Sequence, residues 1–306
     1  DAINTAHEGR FDGEHIRFAN IMADFNNVRF QGDSLTTNIK LSTKEHSGFE
    51  VKKLQANMKF TPSIMQFDSL ELVTNKSRLG NFYSMRYNDF NADMGNFLHK
   101  IMLEGRFINS ELSSDDLAFF APELASWKRV FKLEGNAKGT IDNLSAKKMR
   151  ISTGNSSLDG DISLKGLPDI NHTFIDFRAN DFQTTYQDVA DIIPSLKNIT
   201  QPNLNKLGKI TYQGNFTGFI NDFVAFGTII TNLGTISGDV NLKLPEKRPP
   251  VYSGKILTRG FRLGEFLNNG ELGSIVFNGK VKGSGFSLKN LDANFDGNVH
   301  SIGYAG

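Results

Sequence analysis

The chain has no cysteine, a single tryptophan and no apolar run that approaches the roughly 18–20 residues of a membrane-spanning helix. The lack of cysteine excludes a disulfide framework and thiolate metal sites, although it does not fix the cellular compartment. Charges of both signs are interspersed and the net charge is +1, so no basic surface for nucleic acid is indicated. The start of the chain also lacks the basic and apolar regions of a signal peptide.

The sequence contains no recognisable catalytic or metal-binding constellation. No histidine has another histidine three or four residues away; they stand at His7, His15, His46, His99, His172 and His300. Gly283-Ser284-Gly285 lacks the third glycine of a dinucleotide-binding motif. Asp159-Gly160-Asp161 resembles a fragment of a calcium loop, but the remaining ligands and the closing glutamate are missing. We therefore predict that the protein is not an enzyme and uses no cofactor and no metal.

What the chain does have is an internal repeat. Phe131–Leu164 is followed by similar stretches at Ile210–Leu242 and from Ile275 onward. Two glycines four residues apart recur in register in the three copies, at Gly135/Gly139, Gly214/Gly218 and Gly279/Gly283. A second block, apolar-x-Gly-(Asp/Asn)-apolar, recurs at Leu158–Ile162, Ile236–Val240 and Phe295–Val299. Recurrence on this scale indicates a repeat array.

Apolar and polar residues alternate in each copy with a period of two, which is typical of a strand with one apolar and one polar face. We predict that the apolar positions line a hydrophobic groove. These positions are Phe131, Leu133, Ala137, Ile141, Leu158, Ile162, Leu164, Ile210, Tyr212, Phe216, Ile236, Val240, Leu242, Ile275, Phe277 and Val281.

The paired glycines fall on the same apolar side as these residues. Glycine inside a strand often marks a bulge, a bend or a close approach by another backbone or a ligand. Two interpretations stay open, because the glycines could shape a curved but ordinary core or could keep space for a ligand.

At 306 residues the chain exceeds the usual single core, so two or more units are expected. The repeat predicts a divergent unit at 1–127 that ends in a short helix near 113–124, then units at 128–204 and 205–269, and a truncated unit at 270–306. Because Asp1 and Gly306 both lie inside a pattern, we expect a piece of a longer protein. Short helices are predicted after Ser113, at Tyr186–Ile193 and at Leu263–Leu267.

These elements predict a mainly β fold. A sheet with one apolar face must cover that face by packing it against something. We expect an elongated array of antiparallel strands rolled into a partly open groove or trough, with one short helix per repeat.

Several phrases resemble the periplasmic β-repeat region of the TamB family, in the form found in Bacteroidetes. This family belongs with the AsmA-like proteins, which are related in architecture to the bridge-like lipid transporters. The matching phrases, spread over most of the chain, are Ser47–Phe60, Ser113–Leu124, Lys138–Gly154, Gly214–Thr228, Leu233–Leu244 and Phe277–Ala293.

The resemblance implies a periplasmic protein anchored in the inner membrane by an N-terminal helix outside this sequence. It implies phospholipid acyl chains as the ligand, a TamA-like outer-membrane barrel as the partner, and movement of phospholipid between the inner and outer membranes. An alternative is an assembly module that presents strand edges to outer-membrane proteins. A passive β-solenoid spacer would instead have a tightly packed core, and a polymer hydrolase would need clustered carboxylates that the sequence does not show.

Overall fold

The computed structural model describes residues 17–192, 194–199, 202–246, 248–285 and 290–304. Within this part of the chain there are seventeen strands, which belong to one antiparallel sheet. The prediction of a mainly β, antiparallel fold is therefore confirmed. No helix of the described residues is long and apolar enough to cross a membrane.

The chain divides into two compact units. Unit 1 comprises Asp1–Thr153 and Ser163–Ile170, and unit 2 comprises Gly154–Ile162 and Asn171–Gly306. The predicted repeat boundaries after residues 127, 204 and 269 stay predictions.

Unit 1 is built from strands that follow one another in chain order, each paired with the next. They are β1 (Phe18–Gln31), β2 (Ser34–Glu45), β3 (Glu50–Thr61), β4 (Ile64–Val73), β5 (Arg78–Arg86), β6 (Met102–Ser113), β7 (Val130–Thr140) and β8 (Asn143–Thr153). Helices α1 (Phe90–Met94) and α2 (Phe97–Lys100) separate β5 from β6. Helix α3 (Ser114–Leu117) and a 3-10 helix (Pro122–Ser126) separate β6 from β7.

Strand β9 (Ser156–Lys165) crosses the division, and the strands after it belong to unit 2. These are β10 (Phe174–Thr185), β11 (Lys209–Phe219), β12 (Asp222–Thr231), β13 (Gly234–Lys243), β14 (Val251–Arg259), β15 (Phe261–Arg262), β16 (Leu272–Ser284) and β17 (Asp292–Tyr304). From β10 onward each pairs with the next, except that β14 and β15 both pair with β16. Helix α4 (Tyr186–Ile192) follows β10, and α5 (Leu263–Leu267) follows β15. Short 3-10 helices lie at Ile170–His172, Pro194–Asn198 and Leu204–Leu207.

Three of the helices begin where the sequence predicts them, and two others were not predicted. Ser113 caps α3, because its hydroxyl accepts a hydrogen bond from the backbone nitrogen of Asp115 at 3.2 Å. The helices at Tyr186 and Leu263 also begin where the sequence predicts. One helix per repeat is not confirmed, since α1 and α2 are additional. The start of α1 had a readable cap, because the Asp89 carboxylate accepts from the backbone nitrogen of Ala92 at 2.8 Å.

Among the described residues of unit 1, buried apolar side chains form two clusters. The first centres on buried Ile39, Ala56, Phe67 and Leu70. The second centres on Tyr87, Ile101 and Leu103, with Met94 of α1 and Phe97 of α2 packed against it. The unpredicted helices therefore cover part of the apolar side of this unit.

Candidate functional site

Rows of apolar residues cross the strands of unit 2 on one face. Directly opposed residues in antiparallel strands point to the same face, so the register identifies each row. The first row is Ile175, Gly218, Phe223, Leu242, Tyr252, Gly283 and Ala293. The second row is Phe177, Phe216, Ala225, Val240, Gly254, Val281 and Phe295.

Two further rows lie beside these. The third, which we call the glycine row, is Ala179, Gly214, Gly227, Gly238, Ile256, Gly279 and Gly297. The fourth is Phe182, Tyr212, Ile229, Ile236 and Thr258. The four rows together are called the apolar face of unit 2.

No residue of these rows is charged, and their side-chain polar atoms are the hydroxyls of Tyr212, Tyr252 and Thr258. Most of the side chains are half-buried, neither sealed in a core nor open to water. On β17, at the margin, Phe295 is 58% exposed. The face is thus a continuous apolar surface that the described residues cover only in part.

The opposite face of the same strands is mainly polar. Asn215 and Thr217 on β11, and Asp239 on β13, point away from the apolar face. Val224 and Phe226 on β12 are exceptions, because they share the polar side and are 44% and 61% exposed.

The register brings together many of the predicted groove residues of unit 2. Phe216, Val240 and Val281 meet in the second row, Leu242 lies in the first, and Tyr212 and Ile236 lie in the fourth. Gly214 and Gly279 lie in the glycine row, and Gly218 and Gly283 in the first row. The remaining predicted positions pair as Ile210 with Thr184, Ile275 with Phe261 and Ile302, and Phe277 with Val299. Leu158 and Ile162 lie half-buried on β9.

Unit 1 has a corresponding face. One row crosses β1 to β8 as Phe30, Leu35, Phe60, Met65, Met85, Leu103, Gly139 and Leu144. A second crosses β2 to β8 as Thr37, Met58, Phe67, Tyr83, Gly105, Ala137 and Ala146. These two rows are called the apolar face of unit 1. Burial raises the pKa of the Tyr83 phenol in this face, so it stays neutral.

The predicted groove residues of unit 1 have different surroundings. Ala137 and Gly139 lie in the two rows, and Gly135 pairs with Phe107 beside them. Leu133 is buried and pairs with Ile151, and the ring of Phe131 packs edge-on against Trp127 at 5.9 Å. Ile141 packs against the core cluster of Ile101, and Leu164 lies half-buried on β9.

The presence of glycine at the paired positions is explained by the close approach of the backbone of the neighbouring strand. Gly214 has φ 153°, and a β-carbon there would overlap the carbonyl oxygen of Phe226 on the next strand. At each of the six predicted glycines a β-carbon would crowd a backbone oxygen of the paired strand. Close approach by another backbone therefore accounts for them, and a role in leaving space for a ligand stays a prediction.

The side chain of Tyr212, in the fourth row, reaches toward the glycine row. Its hydroxyl lies 2.6 Å from the carbonyl oxygen of Asn215, to which it donates, and 3.1 Å from that of Phe226. Burial raises the pKa of Tyr212 to about 12, so the phenol stays neutral at ordinary pH. The tyrosine thus adds a polar atom to the apolar face without adding a charge.

A buried carboxylate ties helix α3 to a hairpin turn in unit 1. Asp116 is 3% exposed, and its Oδ2 accepts hydrogen bonds from the Thr74 hydroxyl, from the Ser77 hydroxyl at 2.7 Å and from the backbone nitrogen of Lys76 at 3.1 Å. The neighbouring Asp115 instead faces outward, where it pairs with the ammonium groups of Lys76 and Lys128 at 2.5 and 2.7 Å. Hydrogen bonds from those two lysines lower the pKa of Asp115.

Unit 2 repeats this arrangement. Asp188 of α4 is 4% exposed, and its Oδ2 accepts from the backbone nitrogen of Asn155 at 2.9 Å and from the Ser156 hydroxyl at 3.1 Å. The sequence predicts Asp115 and Asp116 only as acids at a helix start. Their different roles depend on contacts between residues about 40 positions apart in the chain.

A third buried acid, Glu45, holds the turn after β2. Burial opposes its ionised form, but hydrogen bonds from Ser47, His46 and the backbone nitrogen of Arg17 outweigh that effect and lower the pKa of Glu45 to about 2. These three acids position the margins of the sheet and do not enter the apolar rows.

Within the described residues, no group of three or more histidine, aspartate or glutamate side chains is arranged to hold a metal ion. Comparison with protein families, with curated proteins and with solved structures gave no match for this chain. The candidate sites are the apolar faces of the two units, because their rows carry no charge and cross several strands.

Proposed function

We propose that the apolar faces bind the acyl chains of phospholipids in a hydrophobic groove. The observation that carries this proposal is the set of uncharged rows, three of which continue from β10 to β17, with most of their side chains only half-buried. A passive spacer would be expected to bury such a face completely.

The dimensions suit a lipid chain. Seven strands spaced about 4.7–4.9 Å apart give a face about 29 Å long across the strands. Each methylene group removed from water contributes about 0.8 kcal/mol, so about ten methylenes contribute about 8 kcal/mol before the entropic cost of binding. Because this attraction has no preferred direction, a bound chain could slide along the rows. No catalytic residue is required.

The resemblance to the TamB family extends this proposal to a cellular role. In that role the protein is periplasmic and anchored in the inner membrane, and it moves phospholipid between the inner and outer membranes with a TamA-like barrel as its partner. The apolar faces support the lipid-binding step of this role.

A second candidate function rests on strand β1. All fourteen of its residues are exposed, including Phe25 at 52% and Phe30 at 78%, and among the described strands it pairs only with β2. Such an edge can pair with an extended segment of another protein. In this alternative the protein presents the edge to outer-membrane proteins during their assembly.

Photocrosslinking tests the lipid proposal at two adjacent isoleucines of β12. Ile229 lies in the fourth row, whereas Ile230 points to the polar side and is 51% exposed. With p-benzoylphenylalanine in place of Ile229, we expect crosslinks to phospholipid from phosphatidylethanolamine–phosphatidylglycerol vesicles. The same group in place of Ile230 should give few.

Equal lipid crosslinking from both positions, or none from position 229, would contradict the proposal. Crosslinks from β1 to unfolded outer-membrane proteins, without lipid crosslinks from position 229, would favour the second candidate.

A further inference from the structure

Some glycines of the apolar faces lie beneath an aromatic ring from a residue two positions along the same strand. A β-carbon at Gly105 would lie 2.7 Å from the ring tip of Phe107, and one at Gly279 would lie 2.7 Å from the ring tip of Phe277. These rings therefore lean along the strand onto the glycine. Glycine leaves the space that a side chain would fill, so the ring can lie low on the sheet.

Gly105 isolates this effect from backbone strain. The nearest atoms to its missing β-carbon are three ring carbons of Phe107, at 2.7, 3.1 and 3.4 Å, and none belongs to the backbone. Gly105 is also not among the residues with positive φ. An alanine here would therefore fit the backbone, and the Phe107 ring would have to move.

Because Gly105 lies within the apolar face of unit 1, a movement of the Phe107 ring would change the surface of that face. Gly105 lies between Tyr83 and Ala137 in the second row of the apolar face of unit 1. Phe107 is half-buried and pairs with Gly135, which lacks a side chain that could hold the ring elsewhere. A ring displaced from Gly105 would rise from the sheet above this row.

We infer that Gly105 is a positioning residue that sets the depth of the groove in unit 1 by letting Phe107 lie flat. This inference rests on the proposed function, because depth matters only if the face takes up an acyl chain. Phe107 is the residue that would contact the lipid, and Gly105 acts through it.

The test compares the intact chain with the variants Gly105→Ala, Phe107→Ala and the double variant. Binding is measured by displacement of a fluorescent fatty acid with phosphatidylglycerol, and stability by urea unfolding. In Gly105→Ala we expect affinity to fall about tenfold, which corresponds to lost contact with about two methylene groups. Phe107→Ala should itself bind more weakly than the intact chain, because it loses the ring that contacts the lipid. The double variant should bind like Phe107→Ala, because without the ring the alanine at position 105 has nothing to displace.

Two results would overturn the inference. One is a double variant that binds about tenfold more weakly than Phe107→Ala, since the alanine would then act without the ring. The other is strict additivity of the two substitutions in the free energy of unfolding, which would mean that they do not interact. If the intact chain bound no lipid, the proposed function would fail, and the unfolding cycle would still decide whether the ring rests on Gly105.

Discussion

Replacing Phe216 by aspartate is expected to abolish most lipid binding by the apolar face of unit 2. Phe216 lies in the second row between Phe177 and Ala225, and its ring packs on Phe223 at 4.6 Å between centroids. The substitution removes this apolar contact and places a charge where an acyl chain would lie. Losing contact with two to three methylene groups costs about 2 kcal/mol, which is about 30-fold in affinity.

Asn215→Asp is the matched control for this prediction. It introduces the same carboxylate one position away, on the polar side of β11. Phospholipid displacement of a fluorescent fatty acid should be unchanged in Asn215→Asp, and circular dichroism should show that both variants fold. Equal loss of binding in the two variants would mean that the two sides of the strand do not differ in function.

Replacing Asp116 by alanine is expected to cause the largest loss of stability in unit 1. The substitution leaves the Thr74 hydroxyl, the Ser77 hydroxyl and the backbone nitrogen of Lys76 without their shared acceptor. A buried donor without a partner costs about 1–3 kcal/mol, so the total loss should be about 3–5 kcal/mol. The measurement is the free energy of unfolding in urea.

Asp115→Ala serves as the control, because it removes a carboxylate one residue earlier in the same helix. Its ion pairs with Lys76 and Lys128 involve exposed lysines, and such pairs contribute about 0–1 kcal/mol. If both variants lost the same stability, the buried hydrogen bonds of Asp116 would not hold α3 to the turn.

The period of two was sufficient to predict many of the strands and several members of each row of unit 2. The glycine pairs of the second and third copies, read separately in the sequence, fall in the same two rows of the sheet, the first row and the glycine row, which lie on either side of the second row. The second repeated block meets them as well, because Gly238 continues the row of Gly214, and Gly297 pairs with Gly279. Equivalent positions of the repeat therefore lie in the same rows of the sheet.

Strand β12 shows where alternation fails. Phe223, Ala225 and Ile229 point to the apolar face, but Val224 and Phe226 on the other parity are equally apolar. When both parities are apolar, a period of two cannot assign a face, and only pairing with β11 and β13 decides it. For this reason Phe223, Ala225 and Ile229 were missing from the predicted groove.

Contacts between residues far apart in the chain were a second feature that the sequence could not predict. The bonds from Asp116 to the turn after β4, and the rows contributed by β1 to β6 of unit 1, depend on strand order and register. In that part of the chain register shifts interrupt the pairing, for example near Ser69 and Asn109, both with φ near +50°. Each bulge changes the parity of the residues that follow, so the repeat is difficult to read there.

Native mass spectrometry of the purified chain tests the central claim most directly. If the apolar faces bind acyl chains, phospholipid should co-purify with the intact chain, and Phe216→Asp should carry less of it than Asn215→Asp. A folded, intact chain that carries no phospholipid after exposure to phosphatidylethanolamine–phosphatidylglycerol vesicles would contradict the claim.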